Sequence, residues 1–136
     1  MCLRVDNDDE HVVSGCSKGM IRIFNLWSGK LINKIVGNKQ QMPIQSLHFK
    51  NKQKYHLLTA STDGTIQMNH ILTNKNIYEI KEENENQVLT MDLYDDCFVT
   101  GGSDQIIRIY DEETQLLKTR LKSEKYVQNS HSNRIY

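Results

Sequence analysis

The stretch SGCSKGMIRIF, Ser14 to Phe24, spells two incompatible structures. Gly15-Cys16-Ser17-Lys18-Gly19 fits G-x-S-x-G, in which a serine rides a sharp strand-to-helix turn with its hydroxyl raised for attack. After Gly19, however, the chain runs Met20-Ile21-Arg22-Ile23-Phe24, where apolar and polar side chains alternate. A period of two belongs to a half-buried strand, not to a helix. Two further stretches repeat the arrangement: TASTDGTIQMN, Thr59 to Asn69, and TGGSDQIIRIYD, Thr100 to Asp111. Ser17, Thr62 and Ser103 hold the same place in the three copies. Ser17 therefore reads as a turn residue.

The repetition extends outward from these turns. Each copy begins with an apolar pair (Val12-Val13, Leu57-Leu58, Phe98-Val99), then a hydroxyl residue (Ser14, Thr59, Thr100). The polar turn and the alternating strand come next, then a second polar turn and another apolar strand. One more candidate strand precedes each copy, at Cys2 to Val5, Ile44 to Phe49 and Val88 to Leu93. Four strands in a unit of roughly 40–45 residues is the period of a β-propeller blade. The expected fold is all-β: a partial β-propeller of three four-stranded antiparallel blades plus the start of a fourth. The blades are placed at residues 1–37, 42–81 and 87–122, with the further start at 130–136, in a single segment spanning 1–136. The polar runs NKQQMP, KEENENQ and SEKYVQNSHSN fall between units as solvated connections.

The units resemble WD repeats, whose pattern is a Gly-His pair, a strand, and a segment like S-G-S-x-D-G-T-I-R-I-W-D. Asp63 and Asp104 stand at the Asp of the tight turn, where the first unit has Lys18. The Trp position holds Phe24, Asn69 and Tyr110, and the Asp after it is kept at Asp111. The Gly-His pair is replaced by VGNK and EENEN before the second and third units, while His131 resembles such a histidine ahead of a further blade. The resemblance implies a buried network of His, strand hydroxyl, turn Asp and Trp in each blade. Its candidate members here are Ser14, Thr59, Asp63, Thr100, Asp104, Tyr110 and His131. A WD propeller commonly closes with seven blades, which at this period needs ~300 residues. A fragment of a longer propeller is therefore expected, with its remaining blades supplied by further chain.

Composition narrows the function classes. Charge is balanced at 17 basic and 17 acidic residues, so nothing global steers the protein toward nucleic acid or an anionic membrane. Cys2, Cys16 and Cys97 are widely spaced and form no C-x-x-C pair, which speaks against a disulfide framework or zinc ribbon and for a reducing, cytoplasmic setting. The carboxylate runs Asp8-Asp9-Glu10, Asp95-Asp96 and Asp111-Glu112-Glu113 sit at strand ends, where Asp is an ordinary turn former. Lys50, Lys52 and Lys54 form a basic cluster with little aromatic interleaving, read as a solvated loop. No catalytic residue, metal or cofactor is expected.

What remains is a non-catalytic scaffold for protein–protein interaction. The alternative, an enzyme or small-ligand binder on another kind of propeller, needs polar groups converging from several blades on a central channel. By the family resemblance Ser17, Thr62 and Ser103 line one rim as a partner-binding arc. Trp27, in the turn NLWSGK, joins them as a candidate. A turn tryptophan is either packed on a neighbouring strand, the commoner case, or exposed as an anchor.

Overall fold

A computed structural model describes residues 1–83 and 86–122. The residues placed at the start of a further blade, 130–136, and with them His131, lie outside the described residues. Twelve strands form three four-stranded antiparallel sheets. The first sheet holds β1 (Cys2–Val5), β2 (His11–Gly15), β3 (Met20–Asn25) and β4 (Leu31–Val36). The second holds β5 (Ile44–Phe49), β6 (His56–Ser61), β7 (Thr65–His70) and β8 (Asn76–Lys81). The third holds β9 (Val88–Tyr94), β10 (Cys97–Gly102), β11 (Ile106–Asp111) and β12 (Leu117–Lys122). Within each sheet the strands lie side by side in chain order. These are three blades of a β-propeller, and no α-helix occurs among the described residues.

Left-handed turn residues set the hairpins. Between the second and third strands of each blade, Gly19, Gly64 and Gln105 take φ of +82°, +89° and +64°. Between the third and fourth strands, Gly29, Asn74 and Gln115 do the same at +72°, +62° and +60°. Glycine adopts this region without a Cβ penalty, whereas glutamine does so at a cost. The register also shifts at one recurring place, just before Phe24, Asn69 and Tyr110. A bulge at that point turns the outer hairpin in each blade.

Side chains alternate across every sheet, so the blades bury their faces against each other. Val13, Ile21, Ile23 and Ile35 of the first blade meet Ile44, Leu47, Leu57 and Ile71 of the second in one core. Leu58, Ala60, Ile66 and Met68 of the second meet Val88, Met91, Phe98 and Tyr110 of the third in another. Phe98 and Tyr110 stack with ring centroids 4.9 Å apart. Side-chain donors stitch the innermost strands together: Arg4 Nε donates to the Leu47 carbonyl at 3.0 Å, and Ser46 Oγ to the Met91 carbonyl at 3.1 Å. The result is a stiff support with loops at two opposite rims.

Candidate functional site

One rim carries the turns with Ser17, Thr62 and Ser103, together with the connections from one blade to the next. Each turn is fastened differently. In the second blade Asp63 Oδ1 accepts from Ser61 Oγ at 2.7 Å and from the Thr65 N–H at 3.0 Å. Burial alone would raise the Asp63 pKa, but these hydrogen bonds outweigh it and hold the carboxyl below the ordinary carboxylate range. In the third, Asp104 Oδ1 accepts from the Ile106 N–H at 3.1 Å. Its carboxyl also sits below the usual range, chiefly through Arg108. In the first blade, with Lys18 at the Asp place, Cys16 Sγ accepts the Lys18 N–H at 3.4 Å instead. That hydrogen bond is the main cause of a lowered Cys16 thiol pKa.

The expected arc is not uniform. Ser17 is exposed in the turn leading into β3. Thr62 is buried, its hydroxyl donating to the Pro43 carbonyl at 3.2 Å and accepting from Gln45 Nε2 at 2.9 Å. Ser103 is exposed, yet its hydroxyl donates to Asn86 Oδ1 and accepts the Gln87 N–H, both at 3.3 Å.

The third blade contains a buried network that the sequence pattern only half anticipates. Thr100 Oγ1 donates to Glu82 Oε2 at 3.2 Å, and the Tyr110 hydroxyl donates to the same oxygen. Arg108, fully buried, reaches Glu82 Oε1 at 3.4 Å through Nη1 and Asp104 Oδ2 at 2.6 Å through Nη2. Burial first, and the Glu82 carboxylate second, push the Tyr110 phenol well above its ordinary pKa. Glu82 thus occupies the place that the family pattern gives to histidine. The signal for it in the sequence is Arg108: an arginine on the same face as Tyr110, two residues away, demands a carboxylate partner. In the second blade Thr59 is buried, while Asn69 at the Trp position joins Gln67 and Asn76 through its amide at 2.9 and 3.0 Å. In the first, Ser14 is half-buried opposite Arg22.

The opposite rim carries the outer hairpin turns. The residue after the Trp position caps each of them by accepting two backbone N–H groups. Asn25 Oδ1 accepts from Trp27 and Ser28, at 3.0 and 2.8 Å. His70 Nδ1 accepts from Leu72 and Thr73, both at 3.3 Å. Asp111 Oδ1 accepts from Glu113 and Thr114, at 2.9 and 3.0 Å. Trp27 departs from the commoner case: it is 79 % exposed, and its indole Nε1–H donates to the Asp9 carbonyl at 2.8 Å.

The lysine loop lies on this same rim, wedged between acidic neighbours. Lys54 Nζ lies 3.4 Å from Asp8 and 3.0 Å from Glu10 of the first blade, and Lys50 pairs with Glu112 of the third. The Tyr78 hydroxyl also donates to Glu112, at 3.0 Å. Two of the three lysines are therefore spent on holding neighbouring blades together.

Comparison with known proteins agrees with this arrangement. No family model matches the chain. It is 32 % identical over 95 residues to an uncharacterized WD repeat-containing protein of Schizosaccharomyces pombe, covering 70 % of this chain and 16 % of that one. The chain belongs to the WD-repeat family. This WD-repeat chain is also 30 % identical over 108 residues to a serine-threonine kinase receptor-associated protein of Dictyostelium discoideum, covering 79 % and 36 %. It thus spans about a third or less of the length of these relatives. Among solved structures, the computationally designed Ika8 protein superposes with a TM-score of 0.72 at 22 % identity, over 88 % of this chain and 35 % of that one. The U3-55K structure superposes with a TM-score of 0.76 at 17 % identity, over 89 % and 36 %. Both share the fold.

Proposed function

We propose that this WD-repeat chain is a non-catalytic platform that holds protein partners at its rims, with the Trp27 turn as an anchor. The observation that carries the reading is the state of Trp27: 79 % exposed, yet fastened by both its backbone N–H and its indole N–H. An aromatic side chain held in place before binding loses little freedom on contact, which favours it as an interface anchor. At the equivalent place in the second blade Leu72 is also exposed, so apolar side chains of two adjacent blades face solvent on one rim. Proteins suit this surface better than nucleic acid, because Lys50 and Lys54 of the basic loop are already engaged by carboxylates.

The test is a pull-down with the tagged protein and its Trp27→Ala variant. Circular dichroism should show the same fold in both, since the indole packs into neither core. Proteins retained by the wild type should be depleted at least several-fold with the variant. Equal retention would dismiss Trp27 as the anchor. Ser17→Trp tests the other rim in the same assay, whereas a bulky residue at Thr62 would report on packing because that side chain is buried.

A further inference from the structure

The outer turns of the three blades are fastened alike, but the three caps differ chemically. An amide oxygen (Asn25) and a carboxylate oxygen (Asp111) accept hydrogen bonds at any pH near neutrality. Asp111 in particular is held below the usual carboxylate range, first by the Thr114 N–H and then by that of Glu113. The cap of the second blade is an imidazole nitrogen. His70 Nδ1 can accept the Leu72 and Thr73 N–H groups only while its lone pair is free, with the ring proton on Nε2. A second proton leaves an imidazolium with two donors and no acceptor. Flipping the ring does not help.

We propose that His70 makes the β7–β8 turn a proton-sensitive loop, capped when the imidazole is neutral and released at Leu72 and Thr73 when it is protonated. This goes beyond the platform reading and does not depend on Trp27. Histidine is the side chain whose charge ordinarily changes between pH 5 and 8. The ring is partly exposed, so protons reach it. On the adjoining elements its neighbours are His56 of β6, with ring centroids 5.8 Å apart, and Tyr55 of the preceding loop at 5.6 Å. Lys54 Nζ lies 5.0 Å from the centroid of the Tyr55 ring. None of these neighbours brings a negative charge to hold an imidazolium in place. Burial pushes the His56 pKa down, and the charges of His70 and Lys50 push it further, with Glu112 acting the other way.

Release is confined to the tip of the turn. The His70 N–H still donates to the Lys75 carbonyl at 2.9 Å, and the Asn74 N–H to the His70 carbonyl at 3.1 Å. The Ile71 N–H donates to the Tyr55 carbonyl at 2.9 Å, and Ile71 itself is a buried core residue. None of these bonds involves the imidazole, so strand pairing survives while the exposed Leu72 gains freedom.

The experiment is amide hydrogen exchange by NMR on the whole chain, expressed as protection factors from about pH 7.5 to about pH 5.5. Protection at Leu72 and Thr73 should fall by roughly tenfold, as expected for losing two hydrogen bonds. The equivalent amides of Trp27, Ser28, Glu113 and Thr114 should hold constant. A long-range proton–nitrogen spectrum at the higher pH should show His70 Nδ1 unprotonated, and His70→Asn should keep the cap and remove the pH response. Constant protection in the wild type, an equal fall at all three turns, an Nδ1-protonated ring, or a response surviving in His70→Asn would each overturn the proposal. If His70→Asn fails to fold, the comparison among the wild-type turns and the tautomer spectrum decide between the two outcomes.

Discussion

Glu82 holds the third blade together from outside it. Its carboxylate leaves the connection after β8 and meets Thr100, Tyr110 and Arg108, three side chains of a different sheet. Both Glu82 and Arg108 have side chains wholly shielded from solvent. Removing one member of a buried ion pair leaves the other charge without compensation, which costs far more than the pair itself contributes. Glu82→Ala should therefore destabilise the protein by about 3–5 kcal/mol in urea denaturation, and Glu82→Gln by less, since the amide still offers an acceptor to Thr100. A loss below ~1 kcal/mol for the alanine variant would show that Asp104 and Glu83 satisfy Arg108 without it. At this scale the sequence is legible where a residue acts within its own turn. Asp63 and Asp104 cap the loops in which they stand, at two residues' reach. Arg108 signals that a carboxylate is needed but not that Glu82 supplies it, because the partners of Glu82 lie 18 to 28 positions away and a carboxylate replaces the histidine sought there.

At the scale of the hairpin, the turn between β10 and β11 is the strained one of its kind. Gly19 and Gly64 fill the left-handed position in the first two blades, and Gln105 fills it in the third. Gln105→Gly removes the Cβ penalty, while the added chain freedom of glycine in the unfolded state offsets part of the gain. Because a left-handed non-glycine residue costs roughly 1–2 kcal/mol, the net should be a stabilisation of about 0.5–1 kcal/mol, read as a rise in thermal midpoint. A fall instead would mean that the side chain holds the turn through contacts of its own. The elements themselves are legible because the period-two alternation of Ile21-Arg22-Ile23 recurs at Ile107-Arg108-Ile109 with the same turn chemistry on either side. Trp27 is less so. Sequence shows an aromatic residue in a turn, but its placement depends on a carbonyl of the neighbouring loop, Asp9, to which the indole N–H donates.

At the scale of the whole molecule, the two blade-to-blade cores show what each sheet face requires. Ile21 and Ile35 face the second blade and are 0 % and 7 % exposed, while their equivalents in the third blade, Ile107 and Leu121, are 45 % and 50 % exposed. That face has the apolar pattern of a blade interface without a cover among the described residues. The 136-residue chain on its own should therefore associate with rising concentration, and Ile107→Glu with Leu121→Glu should return it to monomer in sedimentation velocity. Unchanged sedimentation would show that the face is inert. The order of strands carries a different consequence. Because every pairing joins a strand to its successor in the chain, each sheet closes through short loops and needs no distant segment to arrive first. Contacts between blades then form like links in a row, in which nucleation can begin at any blade and spread to its neighbours. The second blade, with both faces covered along β6 and β7, is where that spread leaves the most protected structure. Unfolding should run inward from the first and third blades, so the middle sheet is the last to come apart.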